Sequence, residues 1–141
     1  MAYARSPLLG VDPTRRDTSA EFELGAECQR DGVTYMYVQA NGAIATQLPV
    51  EVSDGFQAAA CASGDEVEGV STAAFADDEY GWIAVRGEVT VNVASSTAAG
   101  AALTPVADSN GDMVTVASAV NARRGKALTA ESSGLSSVFL Y

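Results

Sequence analysis

The chain contains no histidine and only two cysteines, Cys28 and Cys61. Ser-His-Asp and Cys-His machinery is thereby excluded, and two thiols without an imidazole fall short of a structural zinc site. No apolar run approaches the roughly 20 residues of a membrane-spanning helix. The opening stretch MAYARSPLLGVDPTRR lacks the roughly 7–15-residue apolar core of a secretory leader. Export by that route is not expected, so the cysteines are expected to be free, half-buried thiols. Large apolar groups are scarce: one Trp, five Tyr and four Phe in 141 residues. A hydrophobic fraction of 48% excludes a disordered polymer. Much of it is alanine, however, so one thin core that gains support from neighbours is expected.

Basic charge is also in short supply, and unevenly so. Residues 1–16 hold Arg5, Arg15 and Arg16 against Asp12, for +2. Residues 17–85 hold thirteen acids and only Arg30, for −12, while residues 86–141 balance at zero. An acidic body repels phosphate, which clustered Lys and Arg would have to bind. Nucleic acid is not an expected partner, and neither is a membrane.

What the sequence does have is turns. Asp31-Gly32, Asn41-Gly42, Asp54-Gly55 and Asn110-Gly111 favour tight reversals. Between them the apolar period is two: Val33, Tyr35 and Tyr37 alternate with Thr34, Met36 and Val38, and Val89, Val91 and Val93 with Glu88, Thr90 and Asn92. Further strands are predicted at 43–48, 68–75, 80–86, 112–118, 125–130 and 135–141. Strand starts about 8–12 residues apart indicate a small all-β domain, an antiparallel sandwich or barrel with tight hairpins and little helix. Phe56 to Ala62 is compatible with a turn or two of helix. Ser95 to Leu103, broken by Gly100 and followed by Pro105, reads as a loop.

Residues 1–20 differ in kind. They carry Pro7, Gly10 and Pro13 and show no alternation. Fully extended they span about 66 Å, against a diameter of roughly 40 Å for a domain of this size. They are read as an extended N-terminal arm, with residues 21–141 forming the single domain. Tyr3, Leu8 and Leu9 are anchors that a solvated tail would not need. Tyr3, Arg5, Leu8, Leu9, Arg15 and Arg16 are the candidate binding residues.

Catalytic and metal chemistry find little support. Asp77-Asp78-Glu79 and Asp65-Glu66-x-Glu68 are dense in carboxylates, but solvated acidic loops are the expectation. Asp108-Ser-Asn110-Gly-Asp112 begins like a calcium loop, yet Met113 stands where glycine belongs and Ala119 where glutamate belongs. A turn is expected instead. Arg123-Arg124-Gly125-Lys126 reads as a turn with exposed charge. Trp82, the sole tryptophan, is expected to be a core anchor rather than a ligand-stacking platform. No cofactor, metal or enzymatic activity is expected.

Three blocks carry a resemblance. They are LGAECQRDGVTYMYVQANGAI (24–44), FADDEYGWIAVRGEVTVNVASSTAAGAALTP (75–105) and GKALTAESSGLSSVFLY (125–141). The second, with its Tyr-Gly-Trp-Ile-x-Val-x-Gly-x-Val core, is the most specific. Together they cover about half the chain, which resembles the capsid decoration, or cement, proteins of tailed bacteriophages. The resemblance implies a β-rich, often trimeric virion protein on the outer surface of the head. It would stabilise the shell by binding the major capsid protein and copies of itself. Alternatives are another virion role, such as the base of a head fibre, and a carbohydrate- or receptor-binding β-module with Trp82, Tyr35 and Tyr37 as sugar platforms.

Overall fold

A computed structural model describes residues 11–108, 110–113 and 124–141. The chain is all-β, and no helix occurs among these residues. Ten strands follow in order: β1 (Arg16–Asp17), β2 (Glu27–Arg30), β3 (Val33–Ala40), β4 (Pro49–Ser53), β5 (Gln57–Ala60), β6 (Gly69–Val70), β7 (Tyr80–Asn92), β8 (Ala102–Leu103), β9 (Gly125–Ala127) and β10 (Leu135–Leu140).

The pairings close on themselves. β3 pairs with β5, β5 with β4, β4 with β6, β6 with β7, and β7 again with β3. This is a five-stranded barrel, with β3–β5 its parallel seam. A barrel this small has room only for side chains. Val38, Ala40, Val50, Ala58, Ile83 and Val85 fill it, joined by Ile44 and Phe75, whose backbones bridge.

β7 is the spine. Its first half belongs to the barrel; its second half pairs with β10, and β10, β9 and β8 extend a second sheet. The sequence predicts two strands here, 80–86 and 88–93, separated by a bend. The bend exists without interrupting the strand. Gly87 has φ +106°, and a Cβ there would lie 2.7 Å from the Gly32 carbonyl oxygen, so only glycine permits this close crossing. The inner face of the second sheet (Val89, Val91, Val138, Leu140, Ala127, Leu103) packs on Val67, Val70, Ala107 and Met113.

Other expectations shift. The hairpin at Asp31-Gly32 forms with both residues at positive φ (52° and 79°), as a two-residue turn demands. The strand expected at 43–48 is reduced to the Ile44 bridge, and the true strand, β4, starts at Pro49. Proline is tolerated at the first residue of a strand. The helical option at Phe56–Ala62 is wrong. Asp54-Gly55-Phe56 is a hairpin loop, and Gln57–Ala60 pairs with both β3 and β4, so tertiary pairing overrides the helix preference of alanine. The strand expected at 68–75 shrinks to β6, and that at 125–130 to β9. Of 112–118, Met113 bridges to Val93, and residues 114–118 lie outside the described residues.

Candidate adhesion surface

Of the six residues the sequence nominates for binding, Tyr3, Arg5, Leu8 and Leu9 lie outside the described residues. Arg15 and Arg16 sit on the body of the domain, and so does the rest of the segment from residue 11 to 20, which the sequence assigns to the arm. Arg16 opens β1, opposite Gly81 of β7. Its guanidinium donates to the carbonyls of Ala73 (2.8 Å), Ala74 (3.1 Å), Pro13 (3.2 Å) and Arg15 (3.0 Å), and lies 3.7 Å above the Phe75 ring. Burial lowers its pKa to about 10. Such an arginine is a staple, because four of its five N–H donors are used internally. Arg15 is largely exposed and reaches back to Asp17 at 2.9 Å. Asp17, buried, accepts the Tyr37 hydroxyl at 2.7 Å.

Above this network the segment from Val11 to Ala26 covers the outer face of β3 and β7. Val11, Phe22, Leu24 and Ala26 pack on Cys28, Tyr37 and Trp82. The ring of Phe22 stands 5.3 Å from Tyr37 and 5.2 Å from Trp82. Tyr37 is 0% exposed and Trp82 1%, so neither offers a face to a sugar. The tryptophan is the core anchor that the sequence favours.

Burial sets an alkaline limit on the fold. Removal from water pushes the Cys28 thiol from 9 up to about 11, the Cys61 thiol up to about 12, and the Tyr37 phenol from 10 up to about 12. Between those limits the unfolded chain releases protons that the folded chain keeps, so stability falls as pH rises. It is intact below about 9, where the unfolded thiols begin to ionise, and is lost progressively as pH climbs through about 11 and 12. The urea midpoint is expected to drop steadily from pH 9 to 11, and Cys28→Ala should flatten the first part of that drop.

The acidic clusters turn out to hold turns together. Asp77 accepts the Gly42 N–H (2.8 Å), Glu79 the Ala76 N–H (2.7 Å), Asp65 the Ala62 N–H (2.7 Å), and Asp108 those of Asn110 and Asp112 (2.8 and 3.0 Å). No group of three or more metal-ligating side chains occurs among the described residues. In the basic cluster at 123–126, Arg123 is outside the described residues. Arg124 is half-buried, and its guanidinium donates to main-chain oxygens of Val67, Glu68, Val85 and Tyr141. It is not the exposed turn charge the sequence suggests. A shallow cleft of about 300 Å³ opens at one mouth of the barrel, between Met36, Val52, Phe56 and Glu68. Its polar lining is carboxylates and Ser53, without a cationic donor.

One surface stands out that sequence reasoning did not nominate: the outer face of the second sheet. Leu128 (41% exposed), Phe139 (45%) and Tyr141 (48%) lie there together, the two aromatic rings 6.1 Å apart. Lys126, Glu88, Thr90 and Ser137 complete it. A signal was present. Val138-Phe139-Leu140-Tyr141 is apolar at both parities of a strand, which is the pattern of a sheet covered on both faces. Val138 and Leu140 account for the inner face, while Phe139 and Tyr141 remain in water. This face lies within the electrically neutral part of the chain.

No protein-family model matches the chain, and no curated protein matches it in sequence. Among solved structures, the fold is similar to that of the head fiber gp8.5 N base of bacteriophage phi29, with a TM-score of 0.61. The match covers 77% of this chain and 94% of that one at 14% sequence identity. At that identity the likeness establishes a common fold.

Proposed function

We propose that the protein is a structural component of a tailed-phage head that acts by adhesion on the outside of the shell, without catalysis or cofactor. The observation that carries this is the fold shared with a head fibre base, over nearly the whole of that chain. Charge and surface support it. The acidic clusters are spent on turns, the acidic barrel keeps particles apart, and three of the five exposed large apolar side chains among the described residues share one neutral sheet face.

Adhesion to the major capsid protein is assigned to the leader, chiefly Tyr3, Arg5, Leu8 and Leu9, with Arg15 at its base. Arg16 is withdrawn from that set because its guanidinium is consumed internally. A lattice repeats its site many times, so modest contacts add to tight attachment, by roughly 10²–10⁴ over a single contact. Deleting residues 1–10 is expected to reduce binding to purified empty heads by at least about 100-fold and to leave circular dichroism and thermal unfolding unchanged. Undiminished binding would remove the leader from the mechanism. Failure of the intact protein to bind heads, with capture by a glycan panel, would replace the proposal by the receptor-binding alternative.

The likeness to a fibre base keeps a second role in view: anchoring a fibre at a few positions, rather than cementing the lattice throughout. Copy number per particle, measured on purified virions, separates the two. A copy at every local symmetry axis means cement; a small fixed number means a fibre base.

A further inference from the structure

We infer that the outer face of the second sheet is a self-association surface, occupied by the same face of a second copy of this chain across a two-fold axis. The basis is the order of side chains across the strands. Phe139 of β10 is paired on one side with Lys126 of β9 and on the other with Glu88 of β7. A single row therefore reads cation, aromatic, anion, with neighbouring members one strand spacing, about 4.8 Å, apart. One residue pair further along, Ser137 lies between Thr90 and Leu128, whose N–H donates to the Ser137 carbonyl at 2.7 Å.

Such a row is complementary to itself in one orientation only. When two copies meet face to face, a two-fold axis running along β10 exchanges left and right. Phe139 then stacks on its counterpart, Lys126 lies over Glu88, Glu88 over Lys126, and Leu128 over the methyl of Thr90. An axis running across the strands would instead set lysine on lysine and glutamate on glutamate. The charges thus select the packing in which the two copies of β10 run parallel, within the aligned class of sheet packing. A patch that contacts itself is by necessity isologous, so this face makes pairs and not three-fold rings.

Electrostatics elsewhere point the same way. Arg15, Arg30 and Arg86 each lie within 4.0 Å of a carboxylate of their own chain, and Arg16 and Arg124 are occupied by carbonyls. Lys126 is the cation with neither an ion pair nor a hydrogen-bonded acceptor among the described residues. Among the described residues Glu88 is engaged only by the Ser137 hydroxyl, at 2.7 Å. Two copies approaching through the −12 segment of residues 17–85 would repel; through this face they would not. Four strands about 4.8 Å apart, the six-residue β10 among them and β9 and β8 shorter, give a footprint of at most roughly 20 by 20 Å, or about 800 Å² over both copies. That is below the usual size of a permanent interface. The pairing is therefore reversible in solution and is reinforced where a shell holds copies close together.

Sedimentation of the full chain over a micromolar-to-millimolar series tests this. A reversible monomer–dimer equilibrium is expected. Phe139→Glu, which stays on an exposed position and should retain the wild-type circular dichroism, is expected to leave monomer throughout. Lys126→Glu and Glu88→Lys should each weaken the dimer at least about 10-fold, and the double variant should regain it, because the swap restores both pairs. A monomer at every concentration, a trimer such as the family resemblance implies, or singles without effect would overturn the inference. Head binding is scored separately: an intact dimer with no affinity for heads leaves the pairing standing and removes only the proposed function.

Discussion

Truncating Trp82 to alanine is expected to cost about 3–5 kcal/mol, the range for deleting a large buried aromatic. For a domain whose whole stability is about 5–15 kcal/mol, the variant should be partly unfolded at physiological temperature. Trp82 touches two layers at once. Its ring lies 4.9 Å from Tyr37 on the neighbouring strand and 5.2 Å from Phe22 in the covering segment. Deletion therefore opens a cavity over β3 and β7 and also removes the floor on which Val11 to Ala26 rest. Limited proteolysis is expected to cut within residues 11–26 first, and chemical denaturation should show a lower midpoint. As the sole tryptophan, Trp82 also reports on its own cover. Phe22→Ala should shift its emission to longer wavelength while the barrel stays folded. Cleavage that begins in the barrel strands and spares the covering segment would show that the cover is held by something other than this aromatic layer.

The contrast between the two halves of β7 shows how much of the fold was legible in the sequence. Val89 and Val91 alternate with Glu88 and Thr90 because one face is in water, and period two is visible for that reason. Tyr80–Val85 lies between barrel and aromatic cover, so both faces are apolar and periodicity says nothing about which way each residue points. Barrel closure was equally hidden. It depends on β6, two residues long, and on Gln57–Ala60, whose alanines carry no strand preference of their own.

Charges were harder still to read. Asp31-Gly32 announces a turn through local chemistry, whereas nothing local shows that Arg16 will find the carbonyls of Ala73 and Ala74, 57 and 58 residues away. Gly81 is the clue in retrospect, since a Cβ there would come within 2.6 Å of the Arg16 guanidinium. A glycine in a strand marks a close approach, but the sequence does not say of what. The neutral apolar face was half-visible in Val138-Phe139-Leu140-Tyr141. Its significance emerged only once β9 and β7 placed Lys126 and Glu88 on either side of Phe139.

Arg124 gives the second large effect. Replacing it with alanine is expected to destabilise the fold by roughly 3 kcal/mol, because removing one partner strands three part-buried acceptors at once, each worth about 1 kcal/mol. The recipients are spread across the molecule: Val67 and Glu68 lead into β6, Val85 lies in β7, and Tyr141 follows β10. The main chain of Arg124 adds two bonds, donating to the Leu103 carbonyl (2.9 Å) and accepting from the Tyr141 N–H (3.0 Å). One residue thus joins the barrel to the second sheet near the place where β7 passes from one to the other. Burial lowers the guanidinium pKa, yet an arginine side chain keeps its charge in proteins. Its hydrogen-bond acceptors are main-chain oxygens rather than side-chain carboxylates, so salt should change its contribution less than that of an exposed ion pair. A loss of about 10 °C in melting temperature is expected for Arg124→Ala. Arg124→Lys should recover less than half of it, because a single ammonium cannot reach acceptors arranged around a planar fork. Equal stability of the alanine variant and the parent, at low and high salt alike, would mean that water replaces the guanidinium at no cost and that the two halves are joined by apolar packing alone.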